Sequence, residues 1–160
     1  MVDRHSRSRF LHCCGTPDGS LIPAAFRMVW DDPELLSDPR VTELIGSGNR
    51  IARGVEKRFF EKAGQMRAQE FLSRESEVPG WTRTVVGLSE IDITVIAAVL
   101  DAQATSTSAD SDVCRAAIEN LMKRKGLGRP LLDGVKTSLR AIRPDLEGSL
   151  QAAIDQLLGQ

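Results

Sequence analysis

Apolar side chains recur along this chain at spacings of three and four, the period that places them on one face of an α-helix. The clearest run is Ile51, Val55, Phe59, Ala63 and Met66, extended by Phe71 and Leu72. It predicts a helix over 50–76, capped by Asn49 and closed by Pro79-Gly80. Gly54 and Gly64 each cost that helix about 1 kcal/mol relative to Ala, so a bend is expected near one of them. Ile91, Val95, Val99 and Ala102, with Ile96 and Leu100 alongside, predict a helix over 90–103 behind a Ser89–Asp92 capping box. The β-branched density of Ile91–Val99 also suits a strand, and the helical spacing outweighs it. Val113, Ala117, Leu121 and Met122 mark a helix begun at Asp110 or Ser111 and ended at Gly126. The Lys123-Arg124-Lys125 run just before that glycine suits a helix C-terminus, where the macrodipole favours cations. Leu131, Val135, Leu139 and Ile142 follow Pro130, and Leu146, Leu150, Ile154 and Leu157 follow Pro144, giving two more helices.

Nearer the N-terminus, Pro23 opens a short helix carrying Phe26, Val29 and Trp30. Asp32-Pro33 and Asp38-Pro39 each read as an N-cap followed by Pro at the first helical position, which predicts turns of helix over 33–37 and 39–46. Trp81–Leu88 is rich in Thr and Val but has no partner strand, so it reads as extended linker. Gly15, Pro17, Asp18, Gly19 and Ser20 favour turns, so residues 1–22 are expected to form an irregular N-terminal arm that buries little. The sum is an all-α protein: a single compact multi-helix domain over 23–160, six or seven helices with 50–76 as the spine, plus the arm.

Composition adds bounds. A chain of 160 residues suits one domain with one core. There are two Trp, five Phe and no Tyr, so the core is expected to rest on Leu, Ile, Val and Ala, and a base-stacking platform is not expected. Cys13 and Cys14 are adjacent and Cys114 stands alone, which argues against a disulfide scaffold and for a reducing compartment. No signal-like apolar run follows the basic N-terminus, and Ile91–Leu100 is far shorter than the ~20 residues of a membrane span. The expectation is a soluble, intracellular, cytoplasmic protein with no membrane partner.

The usual signatures of chemistry are weak. His5, His12, Cys13 and Cys14 are metal-friendly types, but adjacent cysteines lack the Cys-x2–4-Cys spacing that lets two sulfurs share an ion. Gly46-Ser47-Gly48 is a loop rather than a nucleophile elbow, and no His lies downstream of Cys114. Gly126-Leu127-Gly128-Arg129 is too short to cradle a phosphate. The acid pairs Asp31-Asp32 and Asp110/Asp112 sit where N-caps are expected. No catalytic residue, metal or cofactor is expected.

Charge distribution carries more. Between Arg115 and Arg143 eight bases face two acids, and between Arg50 and Arg67 six face two. Residues 86–114 hold five acids and no base. Arg50, Arg53 and Lys57 share one helix face by their spacing. With Arg115, Lys123, Arg124, Lys125, Arg129, Lys136, Arg140 and Arg143 they form the candidate binding set for nucleic-acid phosphates or an acidic protein surface. Residues 89–128 also outline a helix-turn-helix, although the Thr105–Ser111 loop is long for the tight turn such a reader needs.

Trp30-Asp31-Asp32-Pro33-Glu34-Leu35-Leu36 resembles an early segment of tobamovirus coat proteins, helical subunits that wrap RNA in rods. The family's RNA-touching Arg pair and its C-terminal aromatic positions have no counterpart here, so the resemblance contributes only the idea of a coat- or nucleocapsid-like helical subunit. The leading expectation is a non-enzymatic helical binding protein acting through its basic helix faces. The second is a self-assembling subunit in which the acidic 86–114 stretch of one copy meets the basic 115–143 stretch of another. The third is an enzyme whose motif is not legible.

Overall fold

The acid side chain of Asp3 accepts a hydrogen bond from the Ser6 amide and starts a helix, α1 (Arg4–Cys14), in the segment expected to be irregular. In the computed structural model, which describes residues 3–17 and 19–159, α1 buries Phe10, Cys13 and Cys14. Phe10 is completely enclosed. The turn-forming residues begin only at Gly15, so they end this helix rather than prevent it; Asp18 among them lies outside the described residues.

Nine further α-helices follow, with four short 3-10 turns and no strand among the described residues. They are α2 (Ile22–Asp31), α3 (Pro39–Gly46), α4 (Arg50–Gln65), α5 (Ala68–Ser73), α6 (Trp81–Val86), α7 (Ile93–Thr105), α8 (Ser111–Gly126), α9 (Asp133–Ile142) and α10 (Gly148–Leu157). The all-helical class therefore holds, while ten helices replace the six or seven expected.

The extra elements have local causes. A straight helix over 50–76 would run about 40 Å, longer than a small domain is wide. Instead Met66 and Arg67 adopt extended backbone, and α5 turns Phe71 back onto Trp81, ring centroids 5.5 Å apart. Residues 81–86 form helix rather than linker because their start is capped from outside the local pattern. One Glu75 carboxylate oxygen accepts from the Gly80 amide at 2.5 Å and the other from Thr82 at 3.0 Å. Gly80 sits at φ +83, a left-handed turn open mainly to glycine. Helix α7 begins at Ile93 behind Asp92, whose carboxylate accepts from the Thr94 amide and hydroxyl, rather than behind Ser89. Likewise α9 and α10 start at Asp133 and Gly148, not at the prolines, and Asp32 makes no capping bond whereas Asp38, Asn49 and Asp110 do.

The core has two chemical halves. Around α2 and α4, Trp30 stacks on Phe26 at 5.6 Å and meets Phe59 and Trp81 edge-on at 5.5 and 5.0 Å. Six of the seven aromatic residues are buried, so this half rests on rings and not on aliphatic side chains alone. The other half is aliphatic as expected: Ile96 and Leu100 of α7, Ile118 and Leu121 of α8, Leu139 of α9 and Ile154 of α10 are fully enclosed. There α7 packs along α9, while α6 and α10 pack along α8. Helix α7 touches α4 as well as α8 and α9 and so joins the halves. No helix of the described residues is long and apolar enough to cross a membrane.

Candidate nucleic-acid interface

The basic set divides sharply once folded. Asn49 closes the first turn of α4, accepting from the Ala52 amide at 3.0 Å while donating its own amide to Cys14 O at 2.9 Å. This fixes the start of α4 against the end of α1. Arg50, Arg53 and Lys57 then point outward on successive turns, all exposed, and none makes an ion pair or hydrogen bond with a described residue. The first turn of α4 carries no acid, so the positive end of the helix macrodipole adds to the stripe. The other two cations that follow on α4, Arg58 and Lys62, are committed to the core's edge. The Arg58 guanidinium lies 4.7 Å from the Phe26 ring, and Lys62 lies 4.5 Å from Trp30.

The 115–143 set is largely consumed internally. Arg143 makes a two-pronged pair with Asp155, both bonds 2.9 Å, and Arg115 pairs with Glu147. Lys136 reaches Asp133 at 3.9 Å, and Lys125 donates to Gln156 O. Arg124 is not on the surface at all: only 8% exposed, it donates to Asn120 Oδ1 and to the carbonyls of Ser89 and Ile91. Its place in the binding set is therefore corrected to a structural one. A helix face cannot be read from a run of three neighbours, because Lys123, Arg124 and Lys125 point about 100° apart. Lys123, Arg129 and Arg140 remain exposed and unpaired among the described residues.

The two basic regions sit on helices with largely different neighbours. The principal neighbours of α4 are α1, α2, α3 and α7, and those of α8 are α6, α7 and α10. Glu90, in the loop before α7, lies within electrostatic reach of both Glu56 on α4 and Arg124 on α8. Burial, and then Glu90, push the Glu56 carboxyl up, while Arg53 opposes them. Helix α8 packs mainly along α6 and α10 and less along α7, the helix that would position it in a helix-turn-helix.

The other candidates are explained by packing. Cys13, Cys14 and Cys114 are buried free thiols. Burial, then the neighbouring Cys13, push Cys14 up to about 11, and burial pushes Cys114 to about 11, the opposite of what a thiolate nucleophile requires. His5 and His12 border a surface hollow beside Cys13 and Met28, and the described residues hold no group of three His, Cys, Asp or Glu placed to share a metal ion. Asp110 caps α8, accepting from the Asp112 and Val113 amides. None of the seven aromatic rings is exposed, Phe60 being half-buried.

The chain matches no protein-family model, no curated protein and no solved structure. The Trp30–Leu36 segment that resembles tobamovirus coat proteins is accounted for by this fold's own packing. It spans the end of α2 and the 3-10 turn Pro33–Ser37, and buries Trp30, Pro33, Leu35 and Leu36.

Proposed function

We propose that this protein is a non-enzymatic binding protein that contacts nucleic-acid phosphates through Arg50, Arg53 and Lys57 of α4. The observation that carries this reading is the contrast within the basic set. Three cations stand exposed and unpaired on one rigid stripe, while five of the eight in 115–143 are paired, bonded or buried. Cations that form no internal ion pair keep most of their field for an external anion. With every ring withdrawn into the core or half-buried, the contact is to phosphates and carries little sequence preference.

The reading is tested by titrating fluorescently labelled single-stranded RNA and duplex DNA with the protein at low salt. Binding that the triple substitution R50Q/R53Q/K57Q sharply weakens supports it. If neither nucleic acid binds tighter than about 100 μM, weaker than ordinary non-specific affinities, the nucleic-acid reading fails and the stripe is left to an acidic protein surface.

A further inference from the structure

Leu127 and Leu132, 72% and 42% exposed, are the large apolar side chains that the described residues leave in solvent. Both lie on the loop between α8 and α9. That loop starts from a tight helix end: the Arg129 amide donates to Arg124 O at 3.0 Å, the Gly128 amide to Lys125 O at 2.9 Å, and Gly128 sits at φ +77. This is a Schellman closure, which satisfies the last carbonyls and holds the chain beyond them. The usual apolar contact across such a closure is missing here, because the two positions that would make it are Arg124 and Arg129. Leu127 stands exposed at this closure, with the exposed cation Lys123 one turn before it and Arg129 two residues after it.

At the opposite end of α8 lies an open cavity of about 600 Å³. Leu72, Pro79 and Val113 supply apolar wall, and Asp110 at the N-cap and Asp112 in the first turn of α8 supply negative charge, offset only in part by the positive helix end they cap. Glu75 also borders it, against the single cation Arg83. An apolar tip flanked by positive charge therefore has a counterpart on the same molecule in an apolar hollow bordered by acids. The 16 residues of α8 separate them by about 24 Å, so no copy fills its own hollow.

We propose that the α8–α9 loop of one copy seats Leu127 in the Asp110–Asp112 cavity of a second copy, giving a weak head-to-tail association of this chain with itself. The two surfaces differ, so the contact is heterologous and leaves a free tip and a free cavity at the ends of any array. Charge complementarity selects the orientation, since tip against tip and cavity against cavity bring like charges together. This inference is independent of the α4 stripe, which takes no part in either surface.

The test is sedimentation velocity over a concentration series, with two surface variants of the full chain. Wild type is expected to shift to larger species as concentration rises, and more so at low salt. Leu127→Glu blocks the tip, and Asp112→Arg blocks the cavity; each is expected to weaken association by about tenfold or more, the worth of one buried leucine or one opposed charge pair. Circular dichroism checks that both remain folded, as exposed positions permit. A mixture of the two variants distinguishes this geometry from a symmetric dimer. Leu127→Glu keeps a cavity and Asp112→Arg keeps a tip, so together they are expected to form a one-to-one pair that neither forms alone. Wild type that stays monomeric at all concentrations, or a mixture that gains nothing over its components, overturns the proposal. So does binding of anionic phosphatidylserine vesicles through Leu127 by a wild type that never self-associates.

Discussion

Asn120 and Arg124 lie one turn apart on α8 and act as a single clamp. The Asn120 side-chain oxygen accepts from Arg124 Nε at 3.1 Å. The Asn120 amide then donates to Val86 O at 2.7 Å and Leu88 O at 2.9 Å, and the Arg124 guanidinium to Ser89 O at 3.0 Å and to Ile91 O. The last carbonyl of α6 and three carbonyls of the connection to α7 are thereby satisfied by two side chains of α8. Irregular backbone can be enclosed only when its polar groups are met in this way.

Arg124→Gln is expected to lower stability by about 2–4 kcal/mol, since two carbonyls and the Asn120 side-chain oxygen lose a charged donor at once. Lys123→Gln and Lys125→Gln are expected to stay within about 0.5 kcal/mol of wild type, as exposed substitutions do. Urea unfolding followed by circular dichroism separates the two cases. Equal effects at all three positions would refute the clamp.

The N-terminal helix is expected to be integral to the fold. Phe10→Ala should cost roughly 3–5 kcal/mol, in the same range as Phe59→Ala, because both rings are fully enclosed. Deleting residues 1–14 removes in addition the Cys14 carbonyl that receives Asn49 and the Arg7 partner of Asp38 at 3.4 Å. A melting temperature unchanged by that deletion would contradict the packing described.

For the proposed phosphate contact, three phosphates would give a slope of log affinity against log salt of about −3 on duplex DNA and about −2 on a single strand. R50Q/R53Q/K57Q is expected to flatten the slope. Arg115→Gln and Arg143→Gln, whose charges are already paired with Glu147 and Asp155, are expected to leave it nearly unchanged. A slope that responds equally to both groups of variants would move the contact away from α4.

The pH profile of stability follows from opposed carboxyl groups. Burial raises the Glu56 carboxyl above its ordinary 4.5, with Glu90 adding to it, and burial raises Asp32 above 3.8. A raised carboxyl takes up its proton more readily in the folded chain, so its effect is to increase stability as pH falls through the folded value. Asp92 is lowered, first by the bond from the Thr94 amide, so the stability it contributes is present above 3.8 and lost as pH falls through its lower folded value. As pH falls from neutral toward the ordinary carboxyl range, Glu56 and Asp32 are expected to add stability, and at lower pH Asp92, Glu147 and Asp155 lose the stability they contribute. Glu56→Gln should be more stable than wild type at pH 7 and show a flatter rise. Urea midpoints measured across that range decide it, and a destabilised Glu56→Gln would reverse the argument.

The sequence by itself determined the elements whose signals are local. The three-and-four spacing of Ile51, Val55 and Phe59 puts them on the buried face of α4, and Asn49, Asp38 and Asp110 cap the helices they precede. The same spacing arithmetic placed Arg50, Arg53 and Lys57 together on the outside. What only the tertiary structure decided are the features whose partners are distant in sequence. Helix α6 depends on Glu75 reaching Gly80 and Thr82, α1 on a pocket for Phe10 built by other helices, and the turn at Met66 on Trp81 meeting Phe71. The fate of each charge belongs to the same class. A cation's residue type is visible in the chain, but whether it faces solvent, a carboxylate 32 residues away as Arg115 does, or buried carbonyls as Arg124 does is set by which helices pack together. Periodicity reports the faces of single helices, and the field at the surface is a sum over all of them.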